Sequence, residues 1–191
     1  MTRTNRTSPA YRREADVWLI ELNLRDARQL LHTLDPAPFR EKDLDPAAET
    51  YIYEAVRELG ANKPTKLLIH LPAAEASDEA RALPEAVCHY FEHRADHARI
   101  ELRRLLVRGL ISLAIGLAFM FSCLSLRRYL ENAADFELLH EGLLIIGWVA
   151  LWRPVEIFLY DWWPILRQQQ RCTAIARMPI DVRFGNPDSA P

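Results

Sequence analysis

The chain of 191 residues carries only six glycines and three cysteines. Cys88, Cys123 and Cys172 are widely spaced and odd in number. That excludes a disulfide framework and a zinc ribbon, and it fits a reducing compartment. The scarcity of glycine argues against phosphate-cradling loops. There is no Walker loop, Gly-rich dinucleotide turn, nucleophile elbow or HExxH. No internal repeat and no long low-complexity tract occurs. The opening MTRTNRTSPAYRRE has no apolar segment behind its charges, so it does not read as a cleaved signal peptide. A net charge of −2 gives no global attraction to nucleic acid.

Apolar residues are concentrated between 105 and 160, whereas the first hundred residues are rich in charge. Residues 109–126, GLISLAIGLAFMFSCLSL, contain no charge, with Arg108 before them and Arg127 and Arg128 after. Eighteen helical residues reach about 27 Å, close to the hydrocarbon thickness of a bilayer. A second run, from Leu138 to about Tyr160, is long enough only if WRPVEIFLY belongs to it. Paired as an antiparallel hairpin, the two runs place Arg108 level with about Ile157. Arg153 and Glu156 then fall at the same membrane face as Arg108. Glu156 is positioned to pair with Arg153, three residues back, or with Arg108. Trp152, Tyr160, Trp162 and Trp163 suit an interfacial aromatic belt. Pro154 is expected to kink the second helix, and Pro164 to end it.

Arginine counts set the expected orientation. Arg94, Arg99, Arg103, Arg104 and Arg108 precede the first span, and Arg153, Arg167, Arg171 and Arg177 follow or close the second. The loop between them has Arg127 and Arg128 against Glu131, Asp135, Glu137 and Glu141. Positive charge stays inside, so both termini are expected in the cytoplasm. Ser112 and Gly116 form a small-xxx-small pair, and Gly147 is expected at nearly the depth of Gly116. These residues would allow the helices to approach each other or a second copy.

The charged part reads as a small α/β domain. DVWLIELN, 16–23, and TKLLIHLP, 65–72, are strand candidates, and MPIDVRF, about 178–184, alternates like an edge strand. A helix is expected over 24–34, with Asn23 as its cap. A second, AAETYIYEAVREL, starts at Asp45 and Pro46 and ends at Gly60. From Pro84 a helix runs unbroken towards the first span. Val87, Tyr90, Phe91, Ala95, Ala98, Leu102 and Leu105 make its apolar stripe. The expected organisation is therefore a disordered basic arm (1–15), a cytoplasmic α/β domain with a juxtamembrane helix (16–104), a transmembrane hairpin (105–162; spans about 109–126 and 138–160), and a cytoplasmic C-terminal segment (163–191). The last returns a strand to a sheet of about three.

Few residues suggest chemistry. His89, His93 and His97 recur every four residues and could present imidazoles to a divalent metal. A solvated, pH-responsive helix face explains them as well. Cys88 beside them is a candidate thiol, or an idle one. His140 and Glu141 open the second apolar helix, where they could take a proton or a cation or simply mark its end. The connector Phe39, Arg40, Glu41, Lys42 and Asp43 is either a partner-binding loop or a solvated turn. Asp43 and Asp45 do not by themselves define an acid pair. The arginines of the arm, Arg3, Arg6, Arg12 and Arg13, fit anionic lipid better than nucleic acid.

Two stretches, DPAPFREKDLDPAAETYIYEAVREL and LLIIGWVALWRPVEIFLYDWWPI, resemble a functionally uncharacterised family of bacterial inner-membrane proteins. The resemblance covers about 16–184. It implies a bacterial membrane protein but no reaction, cofactor or catalytic residue. The expectation is a multi-pass inner-membrane protein without a cofactor. Its partners would be lipid and either a protein or a second copy of itself, in an adaptor, scaffold or sensor role. A metal-dependent membrane enzyme using the histidine row, and an oligomeric channel or transporter subunit, are the alternatives.

Overall fold

The computed structural model describes residues 11–32, 38–39, 42–60, 63–130 and 137–185. Arg3, Arg6, Arg40, Glu41, Glu131 and Asp135 lie outside them, as does the side chain of His140. The chain divides into two compact units, one made of residues 1–95 with 169–191 and the other of residues 96–168.

The first unit holds a four-stranded mixed sheet in the order β1-β2-β3-β4. Its strands are β1 (Arg13–Glu14), β2 (Val17–Asn23), β3 (Thr65–Leu71) and β4 (Ile180–Phe184). β2 and β3 are parallel, with Ile20 opposite Leu67 and Leu22 opposite Ile69. β4 joins β3 in parallel, with Ile69 opposite Val182. The expected edge strand from the far end of the sequence is therefore present.

β1 corrects the expectation of disorder up to residue 15. Arg13 and Glu14 pair antiparallel with Trp18 and Val17 across Ala15 and Asp16, both with positive φ (45° and 70°). Two positive φ values define the tight hairpin turn whose twist matches the strands. Asn-Gly would have signalled it; Ala-Asp does not.

Of the helix expected over 24–34, residues 24–32 are described, and they hold one 3₁₀ turn, Ala27–Leu30. Asp26, rather than Asn23, caps it by accepting from the Arg28 N–H at 2.8 Å. The chain then leaves the helix because tertiary pairing competes for it. The His32 N–H reaches the Asp43 carbonyl at 2.7 Å, the Asp45 N–H reaches that of Leu30 at 2.9 Å, and Leu31 bridges Leu44.

Helix α1 (Pro46–Leu59) begins where expected, with Asp45 accepting from the Ala47 N–H. It ends at Gly60, whose φ of +92° suits glycine. Ile52, Ala55, Val56 and Leu59 are its buried positions, spaced i, i+3, i+4, i+7 to form one face. Helix α2 (Asp78–Leu130) starts six residues before Pro84, because the Ser77 hydroxyl takes the Ala80 N–H at 3.1 Å. Val87, Phe91 and Ala95 of its stripe enter the core with Ile20, Leu67 and Ile69.

The second unit contains most of the apolar sequence. It comprises the C-terminal part of α2, then α3 (Glu137–Ala150), α4 (Trp152–Glu156), a π-helical turn (Ile157–Asp161) and the start of α5 (Trp162–Ala176). Both helical stretches are long and apolar enough to cross a membrane, and only 17% of each apolar window is buried. Pro164 does not end the second helix as expected. It stands in the first turn of α5, where a missing N–H costs little.

Candidate functional site

Three glycines set the contact between the two apolar helices. A Cβ on Gly109 would lie 2.8 Å from Ile157 Cγ2, and one on Gly116 would lie 3.0 Å from the Ala150 carbonyl oxygen. One on Gly147 would lie 3.5 Å from Met120 Cγ. Residues 109, 116 and 120 thus meet 157, 150 and 147, which is an antiparallel register. The expected level of Arg108 with Ile157 matches it to within a residue. Gly116 and Gly147 are about one turn apart rather than level.

The Ala150 carbonyl has a particular reason to be there. Pro154, four residues on, has no N–H to give it. The ladder steps instead through Leu151, whose N–H bonds the Trp148 carbonyl at 3.0 Å. The freed oxygen meets Gly116, where only a hydrogen occupies the space of a side chain.

The charges of LWRPVEIFLYDWWP form a local cluster. Arg153 Nη1 lies 3.1 Å from Glu156 Oε2 and 3.2 Å from Asp161 Oδ2. Trp152 Nε1 donates to Glu156 Oε1 at 2.9 Å. Of the two partners open to Glu156, the structure selects Arg153, which also pairs with Asp161. Arg108 instead lines a groove with Arg104 and Ile165. Trp152, Tyr160 and Trp163 are exposed, while Trp162 donates to the Phe158 carbonyl at 2.8 Å. Arg167 stacks 4.9 Å from the Trp163 ring.

His89, His93 and His97 lie on the exposed side of α2. Among the described residues no three His, Cys, Asp or Glu side chains are gathered to hold a metal ion. Cys88 donates to the Ala176 carbonyl at 3.0 Å. Burial, then Glu92, push its thiol pKa up, so at neutral pH it is a packed thiol rather than a nucleophile. In the connector, Phe39 packs against the core, which gives it a structural role.

Sequence reasoning missed two arrangements in the first unit. The first ties α1 to α2. Tyr90 donates to Glu49 Oε2 at 2.7 Å, and Arg94 pairs with the other oxygen of Glu49. Beside it, Arg171 of α5 donates to the Tyr53 hydroxyl at 3.1 Å. Glu49 and Tyr90 are far apart in sequence, so no local spacing announces their meeting. The second is a cleft of about 460 Å³ at the carboxyl ends of β2 and β3, lined by Asn23, Arg25, His70, Pro72 and Gly185 among others. Ligands of α/β sheets commonly bind at this end of the strands. Its sequence signal was that Asn23 and His70 stand at the ends of candidate strands. His70 Nε2 lies 3.8 Å from Glu21 Oε1.

The tyrosines give a pH prediction. Burial first, then the hydrogen bond to Glu58, raise Tyr11 from 10.0 to about 12. Burial and Glu49 move Tyr90 in the same direction. A raised folded-state value means that the fold holds the neutral phenol. The associated stability is complete below pH 10 and is lost as pH rises through about 12. Unfolding of the full chain followed from pH 9 to 12 should steepen above about 10. The Tyr11→Phe and Tyr90→Phe variants should flatten the dependence; an unchanged slope in both would remove these phenols as its cause.

The geometry defines a chain in two parts, a small mixed-sheet α/β unit and an apolar antiparallel helix pair. Comparison with protein families, curated proteins and solved structures finds no match.

Proposed function

We propose that the chain is a multi-pass protein of the bacterial inner membrane. Its helix pair is the transmembrane hairpin, and its sheet unit is a cytoplasmic module that binds a protein partner or a second copy of itself. The observation that carries the reading is the exposure of large apolar side chains on both helices. Leu110, Ile111, Ile115 and Phe121 are 57–65% exposed, and Ile145, Trp148 and Val149 are 63–68% exposed. Surfaces of this kind call for lipid or protein as solvent. The arginine bias supports cytoplasmic termini.

A binding role for the sheet unit draws support from its second face. By strand register, Leu19, Glu21, Lys66, Leu68, His70, Asp181 and Arg183 share that face. The helices pack on the other. Parallel sheets are usually covered on both sides. Here Leu19 and Leu68 are buried among charged side chains, including the Lys66–Asp181 pair.

Fractionation tests the anchor. After a detergent-free lysate is washed in alkaline carbonate and ultracentrifuged, the full chain should be in the pellet and should dissolve only with detergent. A folded, dispersed chain in the supernatant would overturn the reading. Cross-linking in native membranes tests the module: a discrete dimer or adduct is expected, and monomer alone would remove the partner role.

A further inference from the structure

In the second unit, α2 and α5 enclose a groove of about 460 Å³. His97, Glu101, Arg104 and Arg108 form its polar wall, and Leu105 and Ile165 its apolar part. The four polar residues are spaced four, three and four apart, so they lie on one face of α2. Arg104 and Arg108 are one turn apart, about 6 Å along the axis. Among the described residues neither forms an ion pair within 4.0 Å. Glu101 offsets one of the two charges and leaves the wall basic at the Arg108 end.

The position of the groove matters as much as its charge. Arg108 is the last charge before the apolar run that begins at Gly109. Ile111 and Ile115, three and seven residues beyond it on the same face of α2, are 57% and 65% exposed. Across the groove, Ile165 follows Trp162 and Trp163, which meet edge to face at 5.2 Å. Two guanidiniums above an exposed hydrocarbon surface match a phosphate with acyl chains attached. Guanidinium forks bind phosphate oxygens in paired hydrogen bonds. A free anion would not use the apolar surface of Ile111 and Ile115, and a neutral lipid would bring its ammonium to two fixed cations.

We propose that this groove binds the phosphate of an anionic phospholipid, with an acyl chain along Ile111 and Ile115. The site rests on the membrane reading above and adds a specific lipid contact to it. Basic pockets at the cytoplasmic ends of spans are suited to such headgroups.

Native mass spectrometry of the full chain in neutral micelles tests the site. Phosphatidylglycerol and phosphatidylcholine are added at equal concentration. The wild type should retain phosphatidylglycerol preferentially. R104Q/R108Q should lose that preference by about fivefold per arginine removed, and R104K/R108K should recover part of it. R99Q/R103Q removes equal charge from neighbouring positions outside the groove and should keep most of the preference. Equal retention of the two lipids, or equal loss in both Gln pairs, would overturn the site. So would complete displacement of the lipid by inorganic phosphate, which would make this a soluble-anion site. A chain that sediments with membranes yet shows no preference fails this inference alone. A chain that stays in the detergent-free supernatant fails the anchor itself.

Discussion

Replacing Phe91 with alanine should destabilise the sheet unit by about 3–5 kcal/mol, the range for truncating a fully buried aromatic side chain. Phe91 has no exposed surface and belongs to the cluster that joins sheet and helices. Its ring meets that of Tyr90 edge to face, at 5.3 Å and 86°. Alanine removes the transfer free energy of the ring and leaves a cavity that rigid neighbours fill only in part. Truncation also removes the ring partner of Tyr90, whose hydroxyl holds Glu49. The effect should therefore spread to the tie between α1 and α2. Pulse proteolysis of the full chain in micelles, across a urea series, reads this directly. The Phe121→Ala variant is the contrast. Phe121 is 62% exposed on the apolar stretch of α2, so the sheet unit should change by less than about 0.5 kcal/mol. A loss below about 1 kcal/mol at Phe91 would mean that the site is not packed as described.

Gly109→Leu should separate the helix pair, at a cost of about 3 kcal/mol, the upper part of the usual overpacking range. Even a bare Cβ there would lie 2.8 Å from Ile157 Cγ2 and 3.2 Å from Phe158. Ile157 is β-branched and helical, so its methyl cannot swing aside at χ1 without leaving its preferred rotamer. The backbone must move instead. The three glycines then make an ordered series for alanine. Gly109→Ala should cost most. Gly116→Ala should follow, since its Cβ would press on the Ala150 carbonyl at 3.0 Å. Gly147→Ala should be nearly neutral, with its nearest neighbour at 3.5 Å. Single-cysteine pairs across the helices, oxidised in membranes, would report the order through their disulfide yield. Equal yields in all three variants would dismiss glycine packing as the determinant of the contact.

Much of this arrangement was legible in the sequence because it rests on local rules. Val17–Asn23 and Thr65–Leu71 are short runs of strand formers with clear breaks. α1 has a capping aspartate, a first-turn proline and a terminal glycine. The charge-free run from Gly109 and the arginines around it are equally local, as is the three-residue step from Arg153 to Glu156. The misreadings have separate causes. The segment 24–34 has helical composition, but Leu30, Leu31 and His32 find backbone partners in Asp43 to Asp45, and those bonds end the helix after one turn. Pro164 looks like a stop, yet a preceding π-helical turn places it where its lost N–H is not needed.

By itself, the sequence determined the apolar and charged partition, the helix caps, the strands and the antiparallel pairing of the apolar runs. Each depends on residues close together in the chain or on uniform spacing. Only the tertiary structure decided that Glu49 meets Tyr90 and Arg94, that a freed carbonyl at Ala150 faces Gly116, and that Arg104 and Arg108 share a groove with Ile165. Those contacts join residues tens of positions apart. Their free energy comes from excluding water between particular surfaces, and no local pattern encodes which surfaces will meet.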